Sequence, residues 1–507
     1  MGLPQEENVH REAWGYSFDW TPEHLTPEQL RPLMFQYDEL ATQCLDSIDR
    51  ITASLPARED GTPGEEKTAE ERKTEEKTEL DPDSAPAPER ARHRPRRDLY
   101  QFLVEHHDAD PKLSQLWREV HTVPDWVDWE QIDRGQQVFY RYAGPSIVSL
   151  TFQSLLGGMA SHRVVETLAR TGGFGPAVTR RRLLETFQHI LDVTRDLASV
   201  QPGGKGFASS LRVRLLHAAV RRRILALAAE DPGYYRAAEH GVPISDLDSI
   251  ATVVSFSANL VWVGFPRQGI HLRPGEAADY LALWRWVAHV LGTPTGAFAT
   301  PARAKAMMES LLLSEIHPTE TGRVLASNIV TGLASQAPTY ASADFLRAQA
   351  YWLNGAELAA ALAVPRPPVY YSVLMAGQCL FFMGLCYARR AVPAWDAAGI
   401  ARMRRLLHAE VLRQTDMHEA LHEFQYIPRR GHTTTELGLA DAAGRGRGGG
   451  GFWAVETSVE RRNLRALLWG VVAVGGALWV GAWGVTCAKT VATAMFQTIR
   501  SRTIGRA

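Results

Sequence analysis

Between Ser161 and Leu225 the chain reads SHRVVETLARTGGFGPAVTRRRLLETFQHILDVTRDLASVQPGGKGFASSLRVRLLHAAVRRRIL. Apolar residues recur here at helical spacing, and two clusters break the pattern: Thr171–Pro176 and the PGGKG stretch from Pro202. Gly and Pro interrupt a helix because one is too free and the other lacks an N–H. The segment therefore predicts helix, Gly-rich turn, helix, tight turn, helix. On the third helix Val213, His217, Val220 and Ile224 fall at i, i+4, i+7 and i+11, so one histidine stands in the apolar stripe. Arg212, Arg214, Arg221 and Arg223 are expected on other faces. An inward histidine is either a satisfied core residue or a ligand, since a neutral imidazole on a rigid helix can hold haem iron.

Arg182 and Thr186 are four apart on the second helix and His189 is three further on, so the three share a face. An inward Arg is costly unless it meets an anion; the bland alternative is that Arg182 belongs to the surface run Arg180–Arg182. Glu166 lies beside Val165 and Ala169 on the first helix. A carboxylate in apolar surroundings is harder to ionise and can serve as a base.

Outward from this segment the same period dominates residues 98–430, and alternating strand patterns are scarce. This region is expected to be one all-α domain. The uncharged stretches 249–266 and 367–388 are expected as its buried core helices. Before it, residues 1–56 form an N-terminal arm with aromatics at Trp14, Tyr16, Phe18 and Trp20 and a helical stripe of Leu40, Cys44, Ile48 and Ile51. Residues 57–97 are rich in Pro, Glu, Lys and Arg and have Leu80 as their one large aliphatic residue; they are expected to be disordered. The extreme N-terminus has no basic and apolar signal pattern, and Glu6 stands where myristoylation wants Ser or Thr.

Residues 431–460 contain a Gly-rich linker at 439–452. Gly444, Gly446 and Gly449 match GxGxxG there, but no strand precedes them, so no dinucleotide site is expected. Residues 461–507 carry the run Ala466–Ala488, which has no charge. At 1.5 Å per residue it spans roughly 34 Å, enough to cross a bilayer. Arg461, Arg462 and Arg465 flank one end and Lys489 the other, with Trp469 and Trp483 toward the ends. The expected picture is a single C-terminal transmembrane anchor with the body on the cytosolic face.

The 507 residues balance Lys+Arg 55 against Asp+Glu 56, for a net charge of −1. That argues against nucleic acid as a partner. A mean hydropathy of −0.19 excludes a polytopic transporter. Cys44, Cys379, Cys386 and Cys487 are too few and scattered for a disulfide scaffold and read as buried free thiols.

The residues at 161–225 resemble a known family: the latex clearing proteins (rubber oxygenases) and the endoplasmic-reticulum-bound oxygenase MpaB. Arg182-Leu-Leu-Glu-Thr186, the turn Pro202-Gly203-Gly204 and the run VRLLHAAVR from Val213 to Arg221 carry the resemblance. It implies a globin-like all-α domain binding haem b, over roughly residues 120–390. It implies His217 as the proximal iron ligand, Arg182 and Thr186 as polar groups near the haem, and Glu166 as catalytic base. It implies oxidative cleavage of an isoprenoid C=C by O2 in a lipophilic or prenylated substrate. An anchored form at the endoplasmic reticulum is in keeping with the MpaB branch. The rubber oxygenases have Lys immediately before that Thr, able to occupy the distal iron site; this chain has Glu185, so that distal ligand does not carry over.

Two other readings compete. His418-Glu419-Ala420-Leu421-His422 is a literal HExxH, which in zinc hydrolases supplies two ligands and a base. The third ligand that one zincin spacing wants at 428 is instead Pro428. The other reading is a membrane-anchored binding protein without catalysis, supported only by Glu185.

Overall fold

The computed structural model describes residues 9–54, 98–414 apart from 177 and 338, 459–473, and 476. The charged tract 57–97, the HExxH at 418–422, the linker at 439–452 and most of the apolar run beyond 473 lie outside the described residues.

The fold is all-α. Its helices are α1 (Glu39–Ser54), α2 (Leu99–His106), α3 (Pro111–His121), α4 (Trp129–Arg141), α5 (Ala143–Ser149), α6 (His162–Thr171), α7 (Thr179–Thr194), α8 (Lys205–Glu230), α9 (Asp246–Phe256), α10 (Pro274–Val290), α11 (Pro301–Ser314), α12 (Glu320–Leu333), α13 (Ala343–Ala361), α14 (Val369–Ala391) and α15 (Pro393–Gln414). A last helix, α16, covers 459–473. Side chains start many of them. Asp98, Asp110 and Asp128 accept from the first free N–H groups of α2, α3 and α4, and Ser245 and Asp248 form a reciprocal cap on α9.

The aromatic N-terminal arm is not helical, as its period-2 stretch explains. His10–Ala13 and Tyr16–Asp19 pair as an antiparallel hairpin, the only strands among the described residues. The arm is pinned at Glu309 on α11, which accepts from the half-buried Tyr16 hydroxyl at 3.0 Å and bonds His24 Nε2 at 2.9 Å, with His24 and Glu309 deeply buried. The helical stripe after it is α1, whose Cys44, Leu45 and Ile48 enter the core.

Two large apolar clusters fill most of the interior, and a third, small one joins Leu216, Val220 and Ile224 of α8 to Tyr235. The larger joins α1, α4, α8 and α10 and contains Trp284 and Trp286. The second joins Val165 of α6 with Leu325 of α12, Leu353 of α13 and Leu374, Met375 and Cys379 of α14. Cys44, Cys379 and Cys386 are buried and free. The stretch 249–266 is deeply packed, as α9 and a following π-helical turn, Leu260–Gly264. The stretch 367–388 needs correction: α14 is buried on one side only, and Val369 is 79% exposed. A helix buries a full circumference only when neighbours surround it.

The helix–turn–helix–turn–helix expected at 161–225 is present as α6, α7 and α8. Gly172 ends α6 in the left-handed region, at φ 70°. The PGG turn has a steric reason. Gly203 sits at φ 84°, and a Cβ on Gly204 would stand 2.1 Å from the Ala198 carbonyl oxygen. Two residues on, a Cβ on Gly206 would stand 2.6 Å from the Asp192 carbonyl oxygen, so α8 starts with its backbone against the end of α7. Gly206→Ala is expected to prise these helices apart. The thermal midpoint should fall by an amount equivalent to ~1–3 kcal/mol of overpacking; an unchanged midpoint would show that this crossing is soft.

Candidate functional site

α7 and α8 pack face to face from that glycine crossing, and this fixes the residues they carry. His217 lies in the middle of α8, which is buried around most of its circumference. Burial pushes the imidazole down to about 3, and the charges of Arg221 and Arg182 and the ring of His189 push the same way, against Asp38. The residue nevertheless keeps some accessible surface. No hydrogen bond to a ring nitrogen of His217 is found among the described residues, so the ring is a neutral donor of a lone pair.

The sign of the pH effect follows. Unfolded, this histidine takes a proton below about 6.5; folded, it does so only near 3. Between these values the unfolded state holds more protons, so the group's contribution to stability is lost as pH falls from 6.5. From pH 7 to about pH 5.5, wild-type apoprotein is expected to lose about 1 kcal/mol more than His217→Leu. Urea midpoints at the two pH values measure it; parallel losses would place the ring in solvent.

Arg182 comes from the first turn of α7 and is close enough for its charge to bear on His217. Thr186 turns its hydroxyl onto the Arg182 carbonyl at 3.2 Å. His189, next on the same face, bonds Ser209 of α8 through Nδ1 at 2.9 Å. The structure thus brings Arg182, Thr186, His189 and His217 to one helix–helix junction. Glu185, the departure from the rubber oxygenases, is buried and accepts from Arg181 Nε at 3.3 Å.

Glu166 stands apart from that group. Val165 and Ala169 beside it are buried, but its carboxylate is not in apolar surroundings. Oε2 accepts from Arg170 Nη1 at 2.7 Å, and Oε1 accepts from the Thr321 hydroxyl of α12 at 3.1 Å. Arg170 also donates to the Tyr234 carbonyl at 2.6 Å and lies over the Tyr234 and Tyr235 rings. His240 adjoins the group: burial lowers its pKa and the Glu166 charge opposes that.

Sequence reasoning missed the buried arginines of α8. Arg214 and Arg221, expected on faces other than the His217 stripe, are both buried. Arg214 meets Asp38 at 2.6 Å and Glu119 at 2.9 Å. Arg221 donates to the Pro243 and Ile244 carbonyls and lies over Tyr37. These contacts rigidify α8 one turn on either side of His217. On α6, Arg163 is 2% exposed and is held by Glu315 at 2.7 Å and Asp248 at 3.0 Å. No cluster of His, Cys, Asp and Glu able to hold a bare metal ion occurs among the described residues.

Residues 140–379 match the family described as ER-bound oxygenase mpaB/B′/rubber oxygenase, catalytic domain. All the residues just described on α6, α7 and α8 fall inside that span. A solved structure, that of latex clearing protein LCP in the closed state, is similar at 21% identity and a TM-score of 0.47, covering 60% of this chain and 79% of that one. No curated protein matches the chain. Over residues 140–379, then, the chain is similar to the catalytic domain of the ER-bound oxygenase mpaB/B′ and rubber oxygenase family.

Proposed function

We propose that the protein is a haem b-dependent oxygenase that uses O2 to cleave an isoprenoid C=C in a lipophilic substrate at a membrane. The observation that carries this is His217: a largely buried, neutral imidazole with no hydrogen-bond partner among the described residues, beside the Arg182 cation. This donor set fits haem. His217 would supply a nitrogen ligand to the iron, and Arg182 a cation for the anionic groups of the haem. Haem, when bound, supplies the O2-binding iron and its redox chemistry.

The chain's own residues do the rest. Burial keeps His217 unprotonated, and Arg214 and Arg221 hold its helix. Arg182 and Thr186 hold the polar side of the junction, and the second apolar cluster excludes water from α6 and α7. Glu166 takes an allylic proton at a carboxylate oxygen, steered by Arg170 and Thr321.

The proposed layout follows the sequence: an arm at 1–56, a charged segment at 57–97, the catalytic body at 98–430, a linker at 431–460 and an anchor at 461–507. The anchor crosses at 466–488 and leaves the body cytosolic, at the endoplasmic reticulum. An absorption spectrum of the purified full-length protein tests the reading. A Soret band with about one haem per chain supports it. A colourless protein with stoichiometric zinc overturns it in favour of the HExxH at 418–422.

A further inference from the structure

The largest bare apolar side chains are concentrated on two helices that touch. α14 presents Val369, Val373 and Leu380 to the outside, and α16 presents Trp469, Val471 and Val472, the last three at 73%, 64% and 62% exposure. Scattered surface hydrophobics are ordinary, but a contiguous patch marks a contact.

The two helices are fixed to each other by a specific joint. Gly377 of α14 lets them close: a Cβ there would stand 2.2 Å from the Asn463 carbonyl oxygen of α16. Asn463 is fully buried and donates from Nδ2 to Gln378 Oε1 at 3.3 Å. Glu460, also buried, accepts from the Ser342 backbone N–H at 3.1 Å. The Arg462 guanidinium lies over the Phe381 ring, 4.4 Å from its centroid. Buried polar partners of this kind admit one register, because any other leaves a polar group unpaired.

α16 is also where the proposed anchor begins. Its exposed cations Arg461 and Arg465 precede the bare stretch, and the sequence continues without a charge to Ala488. We infer that the shared outer face of α14 and α16 lies in the bilayer's headgroup–acyl boundary, so that the catalytic body is docked on the membrane in one orientation. This rests on the proposed anchorage through 466–488. It differs from a body swinging freely on the Gly-rich segment 439–452. The lipid occupant is favoured by the continuity of this face with the charge-free run and by the cations at its edge. The inner side of α14 belongs to the cluster that contains Val165 of α6 and packs on Leu183 of α7. Apolar packing therefore continues from the lipid face to the helices of Glu166 and Arg182.

The test uses full-length protein in vesicles of phosphatidylcholine with phosphatidylserine, in a Cys487→Ser background whose other three cysteines are buried. Val373→Cys reports the face, and Leu406→Cys, comparably exposed on α15, reports the rest of the surface. With a water-soluble maleimide, the thiol at 373 is expected to react at least ~10-fold more slowly than that at 406. Adding Gly377→Ala, which opens the joint with a better helix former, should restore the fast rate while the protein stays with the vesicles. Equal rates at 373 and 406 in vesicle-bound protein overturn the docked face and leave the anchor standing. Protein that fails to float with vesicles overturns the anchor as well. Protection that appears only when vesicles carry many copies assigns the face to a second copy of the chain and overturns the lipid assignment.

Discussion

His217→Ala is expected to yield a folded protein without the haem absorption band. Among the described residues the side chain has no hydrogen-bond partner to orphan, so the fold loses only packing around one ring, on a helix that Arg214 and Arg221 hold independently. The loss of haem should be far larger. Removing the partner that merely orients a ligand costs ~10–100-fold in affinity, and removing the ligand itself should cost at least ~100-fold. Exogenous imidazole should restore part of the band, because the truncation leaves room for it beside Arg182. Haem content and far-UV circular dichroism, measured on the same sample, check both halves. A full band in a folded variant would remove His217 as the axial ligand and turn attention to His189 on the facing helix.

Most of the local structure at this site was legible because it obeys short-range rules. The breaks at Thr171–Pro176 and Pro202 divide three helices, and the spacing of Arg182, Thr186 and His189 puts them on one face. Even the requirement for glycine at 203 and 204 follows from backbone geometry once the turn is drawn. Illegible features are those set by partners far along the chain. Nothing near Arg214 announces Asp38, or near Glu166 announces Thr321. A charged residue off the apolar stripe is outward by default, and only tertiary ion pairs reverse that for Arg163, Arg214 and Arg221. The uncharged α14 misled in the opposite sense: composition alone cannot tell a core helix from one whose second face meets something else.

Glu166→Gln is expected to separate chemistry from architecture. Glutamine keeps the side-chain length and an acceptor for the Thr321 hydroxyl, so α6 and α12 should stay joined. It removes the charge that pairs with Arg170, but Arg170 retains the Tyr234 carbonyl and two aromatic faces. Haem content should therefore match wild type, since no contact ties Glu166 to the His217 group among the described residues. If Glu166 takes the allylic proton, kcat should fall by the ~10²–10⁴-fold typical of a lost general base. Thr321→Val gives the contrast: it keeps the charge and only loosens its aim, so the loss of rate should be smaller. Oxygen uptake with squalene as isoprenoid probe measures both variants. Turnover within a few-fold of wild type in Glu166→Gln would remove the residue from the mechanism. Loss of haem in that variant would make it a structural tie between α6 and α12, and the base would have to be sought among the groups facing Arg182.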